Sequence, residues 1–550
     1  MEKNKNDTKV LILSGGEIPK EMKKFFGKIS SGLIPINGKP VIFSTIDNLI
    51  SHGYNKIGIT VGYNKNNLMK ILNYRYNDEL KIDFIEIDWK KSPGNSIIKA
   101  LKKIKEEKLL VVLGDTVINK DYFRFIDKQK DFVISSKKFS DSSKWCIVET
   151  KNGKIKSIYD KKKELNVGIN FSALVGVYFF SSVKILKNIS KKYLHHKKIE
   201  ISSLLEEYKK NNKITVKIEP NWYDVGHRNN YFSSKKELLQ SRFFNYLELD
   251  KKNGIVTKKS QNIQKLKNEI NWYNLIPNQI KIMTPRIISS KINKNPNLVM
   301  EHIDFSTLTE IWLYGNISYK NWQSILDDLK NIINTFQTYK KLVQKKDYEQ
   351  IYITKTLDRI QELISSNPIF KKLLNYEDVK INGKLYDNWG KLSEKVFPKI
   401  NKLFCKDDNC LIHGDLCFSN ILYDVPNNQY RIIDPRGKWG DSIFGDIKYD
   451  LAKLRHSIVG GYDSINNGLF SIDQKDNSLK INILKPTQYE KISNDFDLWI
   501  SKSWNLEQIK MIEGLLFISM IPLHNEDIKK QLAFYAVGVQ RLNEIDFSKI

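Results

Sequence analysis

His413-Gly414-Asp415-Leu416-Cys417-Phe418-Ser419-Asn420, followed by Ile433-Asp434, is the stretch that decides the fold of this chain. Apolar pairs bracket it, Leu411-Ile412 before and Ile421-Leu422 and Ile432-Ile433 after. This pattern predicts a polar loop between buried strands, then a second strand that delivers a carboxylate. Phosphoryl transfer needs such a set: one carboxylate to orient an attacking hydroxyl, and an Asn and an Asp to hold magnesium against phosphates. A polar turn between two core strands would account for His413 or Asp415 alone. It does not account for the joint spacing of Asp415, Asn420 and Asp434.

The order H-G-D-x-x-x-x-N followed by I-D resembles the aminoglycoside phosphotransferase and choline kinase family, close kin to the protein-kinase catalytic loop. The resemblance covers about residues 241 to 460 and implies ATP as phosphoryl donor. It implies Asp415 as the group that accepts or orients the hydroxyl proton, with His413 beside it orienting the loop. Asn420 and Asp434 are then the Mg²⁺ ligands. Lys258 resembles the strand lysine that pairs with the α/β-phosphates, and Glu269 its ion-pair partner. Side-chain alternation admits only one of Lys258 and Lys259 to the cleft face. Met300 and Glu301 resemble the linker whose backbone holds adenine, and Asp450 a trailing Asp that supports the loop. The glycine-rich loop of the family is reduced here to Lys251-Lys252-Asn253-Gly254.

The N-terminal part reads differently. Between residues 8 and about 120, short β-branched runs alternate with helical patterns, as in βαβ units. Strands are predicted at Lys9 to Leu13, Lys56 to Val61, Phe84 to Ile87 and Leu109 to Leu113, with helices at Val41 to His52 and Ser96 to Lys105. A hairpin follows, Cys146 to Thr150 and Ile155 to Tyr159 around Asn152-Gly153, then a strand at Val175 to Phe180. The first strand runs into Ser14-Gly15-Gly16, where backbone N–H groups can meet a phosphate. Leu33-Ile34-Pro35-Ile36-Asn37-Gly38-Lys39-Pro40, Gly94-Asn95-Ser96, Gly114-Asp115 and Trp222-Tyr223-Asp224-Val225-Gly226 come after it in order.

Together these pieces resemble the nucleotidyltransferases that join an NTP to a sugar phosphate or to phosphocholine. The resemblance implies that Asp115 and Asp224 bind catalytic Mg²⁺ and that Gly15 and Gly16 receive the nucleotide. Gly94, Asn95 and Ser96 would lie near the base, with Gly176 and Tyr178 on a substrate-side strand. Two carboxylates from separate strand ends can hold one cation between reacting phosphates. One departure stands out. The family has an Arg soon after the glycines and a Pro-Lys before the Leu-Leu-Pro-Val-like segment, and here that second position reads Ser30-Ser31. Lys20, Lys23, Lys24 or Lys28 are the substitutes in the same loop, and Lys161 or Lys162 are candidates for a substrate phosphate.

Composition bounds the rest. A chain of 550 residues is too long for one core. Its 41% hydrophobic content is that of a well-cored soluble protein, and Met1 to Asp7 predicts no signal peptide. The apolar run from Gly514 to Leu523 is too short to span a membrane. A formal charge of +28 invites nucleic acid, but the lysines are dispersed without an arm or Arg stripe, so anionic small molecules are the expected partners. Cys146, Cys405, Cys410 and Cys417 form no C-x-x-C pair and suit a reducing, cytoplasmic setting.

The expected architecture is an α/β chain in two parts. A Rossmann-like nucleotidyltransferase domain with a mixed, mainly parallel sheet occupies residues 1–240. A two-lobed α+β protein-kinase-like domain occupies 241–550, its small lobe about 241–303 and its helical lobe about 304–550. Consecutive reactions are the expected function: ATP-dependent phosphorylation of a small alcohol or sugar, then coupling of that phosphate to a second NTP. CTP is the first choice for this NTP, and the product would be an activated precursor of surface polysaccharide. The alternatives are a sugar 1-phosphate with UTP, GTP or dTTP, and a kinase whose N-terminal domain only binds nucleotide.

Overall fold

The computed structural model describes residues 7–118, 123, 130–139, 141–193, 195–238 and 245–550. The chain divides into two compact units, Met1–Leu238 with Tyr314–Asn316, and Leu239–Leu313 with Ile317–Ile550.

The first unit is built on a nine-stranded sheet. Strand Thr8–Leu13 is buried along its whole length, as its run of β-branched and aliphatic residues dictates. It pairs in parallel with Ile57–Val61 on one side and Lys108–Leu113 on the other, and Asp83–Glu86 extends the parallel edge beyond Ile57–Val61. Beyond Lys108–Leu113 the sheet turns antiparallel through Phe171–Phe180, and the hairpin Cys146–Lys151/Lys154–Asp160 closes the far edge. The sheet is therefore mixed: its first four strands are parallel, Phe132–Ser136 and Thr215–Ile218 form one further parallel pair, and the other pairings are antiparallel. Register fails once inside Phe171–Phe180, at Gly176 with φ +92°, where an added Cβ would strike Leu113. Helix Pro93–Leu101 starts three residues before the expected Ser96, because Pro93 suits a first helical turn that has no N–H partner to lose.

Leu13 and Leu113 are register partners, so the segments that follow, Ser14-Gly15-Gly16 and Gly114-Asp115, leave the carboxyl edge of the sheet side by side. Ligand sites of open α/β sheets form at this edge. A two-stranded ribbon then pairs Thr116 with Asp224 and fixes the second carboxylate beside the first.

The second unit opens with an antiparallel sheet in the order Asn245–Asp250, Ile255–Ser260, Asn297–Glu301, Ile287–Lys291. Helix Ile263–Leu275 packs against it, capped by the Asn262 side chain on the Lys265 N–H. The remainder is mainly helical. Helix Leu506–Met520 is buried nearly all round, packed on Ile528–Asn543 and Ile447–Ile458. The Gly514 to Leu523 run is thus interior helix and the turn after it, and among the described residues no helix is long and apolar enough to cross a membrane. Strand Asn409–Leu411 and the hairpin Ile421–Asp424/Gln429–Ile432 bracket the loop quoted at the outset. One feature was not anticipated, a four-stranded sheet of Lys384–Asp387, Asp378–Ile381, Ser478–Ile483 and Phe470–Lys475 inside the helical part. Its first hairpin turns at Asn382-Gly383, both at positive φ, a hairpin signal readable in the sequence.

Candidate functional site

In the second unit the loop His413 to Asn420 is held from below by Asp450. The Asp450 carboxylate accepts the His413 and Gly414 N–H groups at 2.7 and 2.8 Å. Burial pushes this carboxyl up to about 7. Gly414 has φ +75°, and an added Cβ would lie 2.9 Å from Arg436 Cβ, so the turn admits only glycine. His413 is fully buried against Trp272, and burial lowers it to about 4, so the ring is neutral. Its Nε2–H donates to the Ile433 carbonyl at 3.0 Å, while Nδ1 accepts the Asp415 N–H at 3.3 Å. With both ring nitrogens used, His413 ties the loop to the strand end that carries Asp434 and has no proton to exchange with a substrate.

Asp415, Asn420 and Asp434 line one cavity of about 1080 Å³. Burial alone would raise the Asp415 carboxyl, but Lys453 Nζ at 2.9 Å overrides it and holds the group well below the usual carboxylate range. Asn420 Nδ2 donates to the Asp415 carbonyl at 2.9 Å and to its carboxylate at 3.1 Å. Asp434 sits in the left-handed region at φ +59°, a conformation Asp tolerates better than most residues. Its carboxylate takes Lys258 Nζ at 2.8 Å, and the same nitrogen reaches both Glu269 oxygens at 2.8 Å. Strand alternation turns Lys258 inward and Lys259 outward. Two carboxylates around one buried ammonium push Lys258 up to about 12, against the opposing effect of its burial. Burial, with Asp434 nearby, pushes Glu269 up to about 7.

Met300 and Glu301 stand apart from this group. They lie in the central strand Asn297–Glu301, where the Glu301 N–H donates to the Arg286 carbonyl at 2.9 Å, and neither lines the cavity. The Lys251 to Gly254 segment is a closed turn on the Asp250 carboxylate, which accepts the Lys252 and Asn253 N–H groups at 3.0 and 3.1 Å.

In the first unit Asp115 and Asp224 flank Gly226. A Cβ on that glycine would lie 2.9 Å from Asp115 Oδ2 and 3.4 Å from Asp224 Oδ1. Burial first, then Asp224, pushes Asp115 up to about 6. Asp224 accepts from the Gly226 N–H at 3.1 Å, from Asn230 Nδ2 at 2.7 Å and from His227 Nδ1 at 2.9 Å, and this last bond raises the His227 imidazole. Gly16 is open, with nothing within 4 Å of an added Cβ, whereas Gly15 is crowded by Ile87 and Gly62. Asn95 does not face outward. Its Oδ1 accepts the Ile199 N–H at 2.9 Å, and Gly94 is pressed against the Ile199 carbonyl, so both lock helix Pro93–Leu101 to residues 196–200. Ser96 is buried and Tyr178 is part of the hydrophobic core.

The substitute lysines fare unequally. Lys23 is paired with Glu17 at 2.6 Å, while Lys20, Lys24 and Lys28 are exposed, as are Lys161 and Lys162. Ser31 N–H donates to the Gly16 carbonyl at 3.2 Å, and buried Ser30 hydrogen-bonds the Ser14 carbonyl.

The Nucleotidyl transferase family model matches residues 9–241. Residues 9–241 are a nucleotidyltransferase domain. The UTP–glucose-1-phosphate uridylyltransferase of Haloferax volcanii is 23% identical over 143 residues, 24% of this chain and 57% of that protein. The chain thus spans little more than half the length of that relative. The D-glycero-α-D-manno-heptose 1-phosphate guanylyltransferase of Aneurinibacillus thermoaerophilus is 22% identical over 233 residues, 42% of this chain and 97% of that protein. Among solved structures, a UDP-glucose pyrophosphorylase complexed with UDP-glucose aligns with a TM-score of 0.37 at 18% identity, covering 42% of this chain and 97% of that one.

Several residues of both sites escaped the sequence reading. In the nucleotidyltransferase domain His227 and Asn230 follow Asp224 by three and six positions and orient it. In the second unit Lys453 lies one turn beyond Asp450 on the same helix, a spacing that was available as a signal. Lys355, Arg359 and Arg436 carried none, because they are single basic residues in a lysine-rich chain.

Proposed function

We propose that the second unit is an ATP-dependent kinase for a small hydroxyl compound and that the nucleotidyltransferase domain couples the resulting phosphate to a second NTP. One observation carries the kinase reading: Lys258, bridging Glu269 and Asp434, stands beside a cavity lined by Asp415 and Asn420. In this reading the acceptor hydroxyl attacks the γ-phosphorus, the bond from that phosphorus to the β,γ-bridging oxygen breaks, and ADP leaves. Asp415 aligns the hydroxyl and receives its proton in passing to solvent. A carboxyl held so acidic by Lys453 works by orientation more than by basicity. Lys258 would leave Asp434 to meet the α/β-phosphates while keeping Glu269.

Mg²⁺ fits this donor set. Asn420 and Asp434 offer hard oxygen ligands in one cavity, and among the described residues no group of three or more His, Cys, Asp or Glu could hold a metal alone. Phosphate oxygens and water would supply the remaining ligands, as is usual for this cation, whose charge would offset that of the phosphates. In the nucleotidyltransferase domain Asp115 and Asp224 form the corresponding pair, with Gly16 as the open backbone position for a phosphate.

The named activities of the two relatives favour a sugar 1-phosphate as partner of the nucleotidyltransferase domain, with UTP or GTP as rivals to CTP. Such nucleotide-activated sugars serve as precursors of surface polysaccharide, made in the cytoplasm. Mass spectrometry after incubation with ATP, each of CTP, UTP, GTP and dTTP, and a sugar and alcohol panel tests the proposal. A phosphorylated acceptor and its nucleotide adduct are expected. Phosphorylation without pyrophosphate release from any NTP would reduce the N-terminal domain to a nucleotide-binding role.

A further inference from the structure

The cavity that holds Asp415 also holds Lys355, Arg359, Arg436, Lys453 and Tyr449. Tyr449 is the centre of this group. Its hydroxyl lies 3.1 Å from Arg436 NH1 and 3.5 Å from Lys355 Nζ, and both cations sit against its ring, 5.3 Å (Lys355) and 5.8 Å (Arg436) from the centroid. Arg359 donates to the Ser519 carbonyl at 2.7 Å. Lys453 links the group to Asp415.

Three of these cations lack an acidic partner. Among the described residues no carboxylate stands within ion-pair distance of Lys355, Arg359 or Arg436. These three are half-buried, and the unit treats its fully buried cations differently. Lys448 is paired with Asp408, Arg455 with Asp497 and Glu513, and Lys258 with Glu269 and Asp434. Bringing several unpaired cations together is unfavourable unless an anion joins them. The strain registers on the groups themselves. Burial, with Arg436, Arg359 and Lys453 adding to it, lowers Lys355 to about 8. Tyr449, which burial would raise, is brought down to about 7 by Lys355, Arg436 and Lys453.

The backbone is built for this placement as well. A π turn, Glu349–Thr354, runs directly into helix Lys355–Ser366, and such turns gather at functional sites. Lys355 and Arg359 are one turn apart on that helix and reach the cavity together. Lys453 joins the cluster to Asp415, the carboxylate that orients the acceptor hydroxyl in the reading above.

We propose that this cluster binds a phosphate or carboxylate on the molecule whose hydroxyl Asp415 orients, so that the acceptor is an acidic sugar or polyol. The word acceptor rests on the phosphoryl-transfer reading above, while the anion site rests on its own geometry. A cationic amino alcohol would face unpaired like charges here, and a neutral one would leave them unneutralised.

The test uses the full chain with a non-hydrolysable ATP analogue and Mg²⁺ occupying the nucleotide sites. Calorimetric titration compares glucose 6-phosphate, glucuronate, glucose and choline, and repeats the series with Arg359→Gln and Lys355→Gln. At least tenfold tighter binding of one or both acids than of glucose and choline is expected, and a tenfold or greater loss in each variant. Glucose 6-phosphate alone would assign a phosphate, and glucuronate alone a carboxylate. Equal binding of all four, or acid binding unchanged in both variants, overturns the proposal. If neither variant folds, the discrimination by the unaltered chain decides. ADP release is measured in parallel with ATP. Variant-sensitive acid binding without ADP release from any compound would leave the anion site standing and refute the kinase reading. Phosphorylation of a neutral or cationic alcohol with KM unchanged in Arg359→Gln would do the reverse.

Discussion

Replacing Lys258 by Met should separate the structural part of the buried ion pair from its part in chemistry. Glu269 and Lys258 are 2% and 3% exposed, and Asp434 shares the same ammonium. Both carboxylates lie 2.8 Å from Nζ, so they are at most twice that distance apart. Without the ammonium they repel, by about 3 kcal/mol for charges roughly 5 Å apart at an effective dielectric near 20. Stripping a buried pair of one partner costs about 3–5 kcal/mol in general. Glu269 can escape part of this by taking up a proton, because burial already lifts its pKa to about 7. The sign follows: an acid whose folded pKa exceeds its unfolded value destabilises increasingly as pH rises between the two. The Lys258→Met deficit should therefore be larger at pH 8 than at pH 6. Adding Glu269→Gln removes the orphaned charge and should restore most of the loss, yet ATP turnover should stay abolished in single and double variants. Denaturant unfolding, with hydrogen exchange in helix Ile263–Leu275 as the local probe, measures the first effect, and ADP release the second. A Lys258→Met deficit below about 1 kcal/mol, or ADP release by the double variant, would refute the reasoning.

Three further outcomes are expected. Asp415→Asn should abolish ATP-dependent phosphorylation while pyrophosphate release from a supplied phospho-substrate continues, and loss of both together would contradict two separate sites. Gly226→Ala places a methyl 2.9 Å from Asp115 Oδ2, so it should reduce pyrophosphate release at least tenfold with both carboxylates still in the chain, leaving ADP release intact. Oxyanion binding near Tyr449 should weaken as pH rises from about 7 to about 8, where Tyr449 gains negative charge and Lys355 loses its positive one. The other charges facing them do not change over this range: Arg436, Arg359 and Lys453 remain cationic and Asp415 remains anionic. Calorimetry in buffers of different ionisation enthalpy should then detect proton uptake on binding near neutral pH, and a pH-independent affinity between 6 and 9 would speak against the arrangement.

Much of this molecule is legible in one dimension, and the reason is locality. Runs such as Thr8–Leu13 and Lys108–Leu113 are apolar because both faces of a central strand are covered, and the glycines that follow each run, with Asp115 after the second, mark the edge where a site forms. The polar spacing from His413 to Asp434 is likewise carried by a loop and a hairpin close in sequence. Tertiary packing decided what spacing leaves open. It turned Lys258 inward and Lys259 outward, and it bound Asn95 to the residue 196–200 segment instead of opening it to a ligand. It also placed Met300 and Glu301 in the middle of a sheet. Above all it gathered Lys355, Arg359, Arg436 and Lys453 around Tyr449. Those residues come from a helix, a loop and a second helix up to about a hundred positions apart, and among the chain's 90 basic residues nothing in their neighbours sets them apart. The chemistry of phosphate is written in motifs because its loops are short. The proposed anion site is assembled from residues distant in sequence, and only the folded chain brings it together.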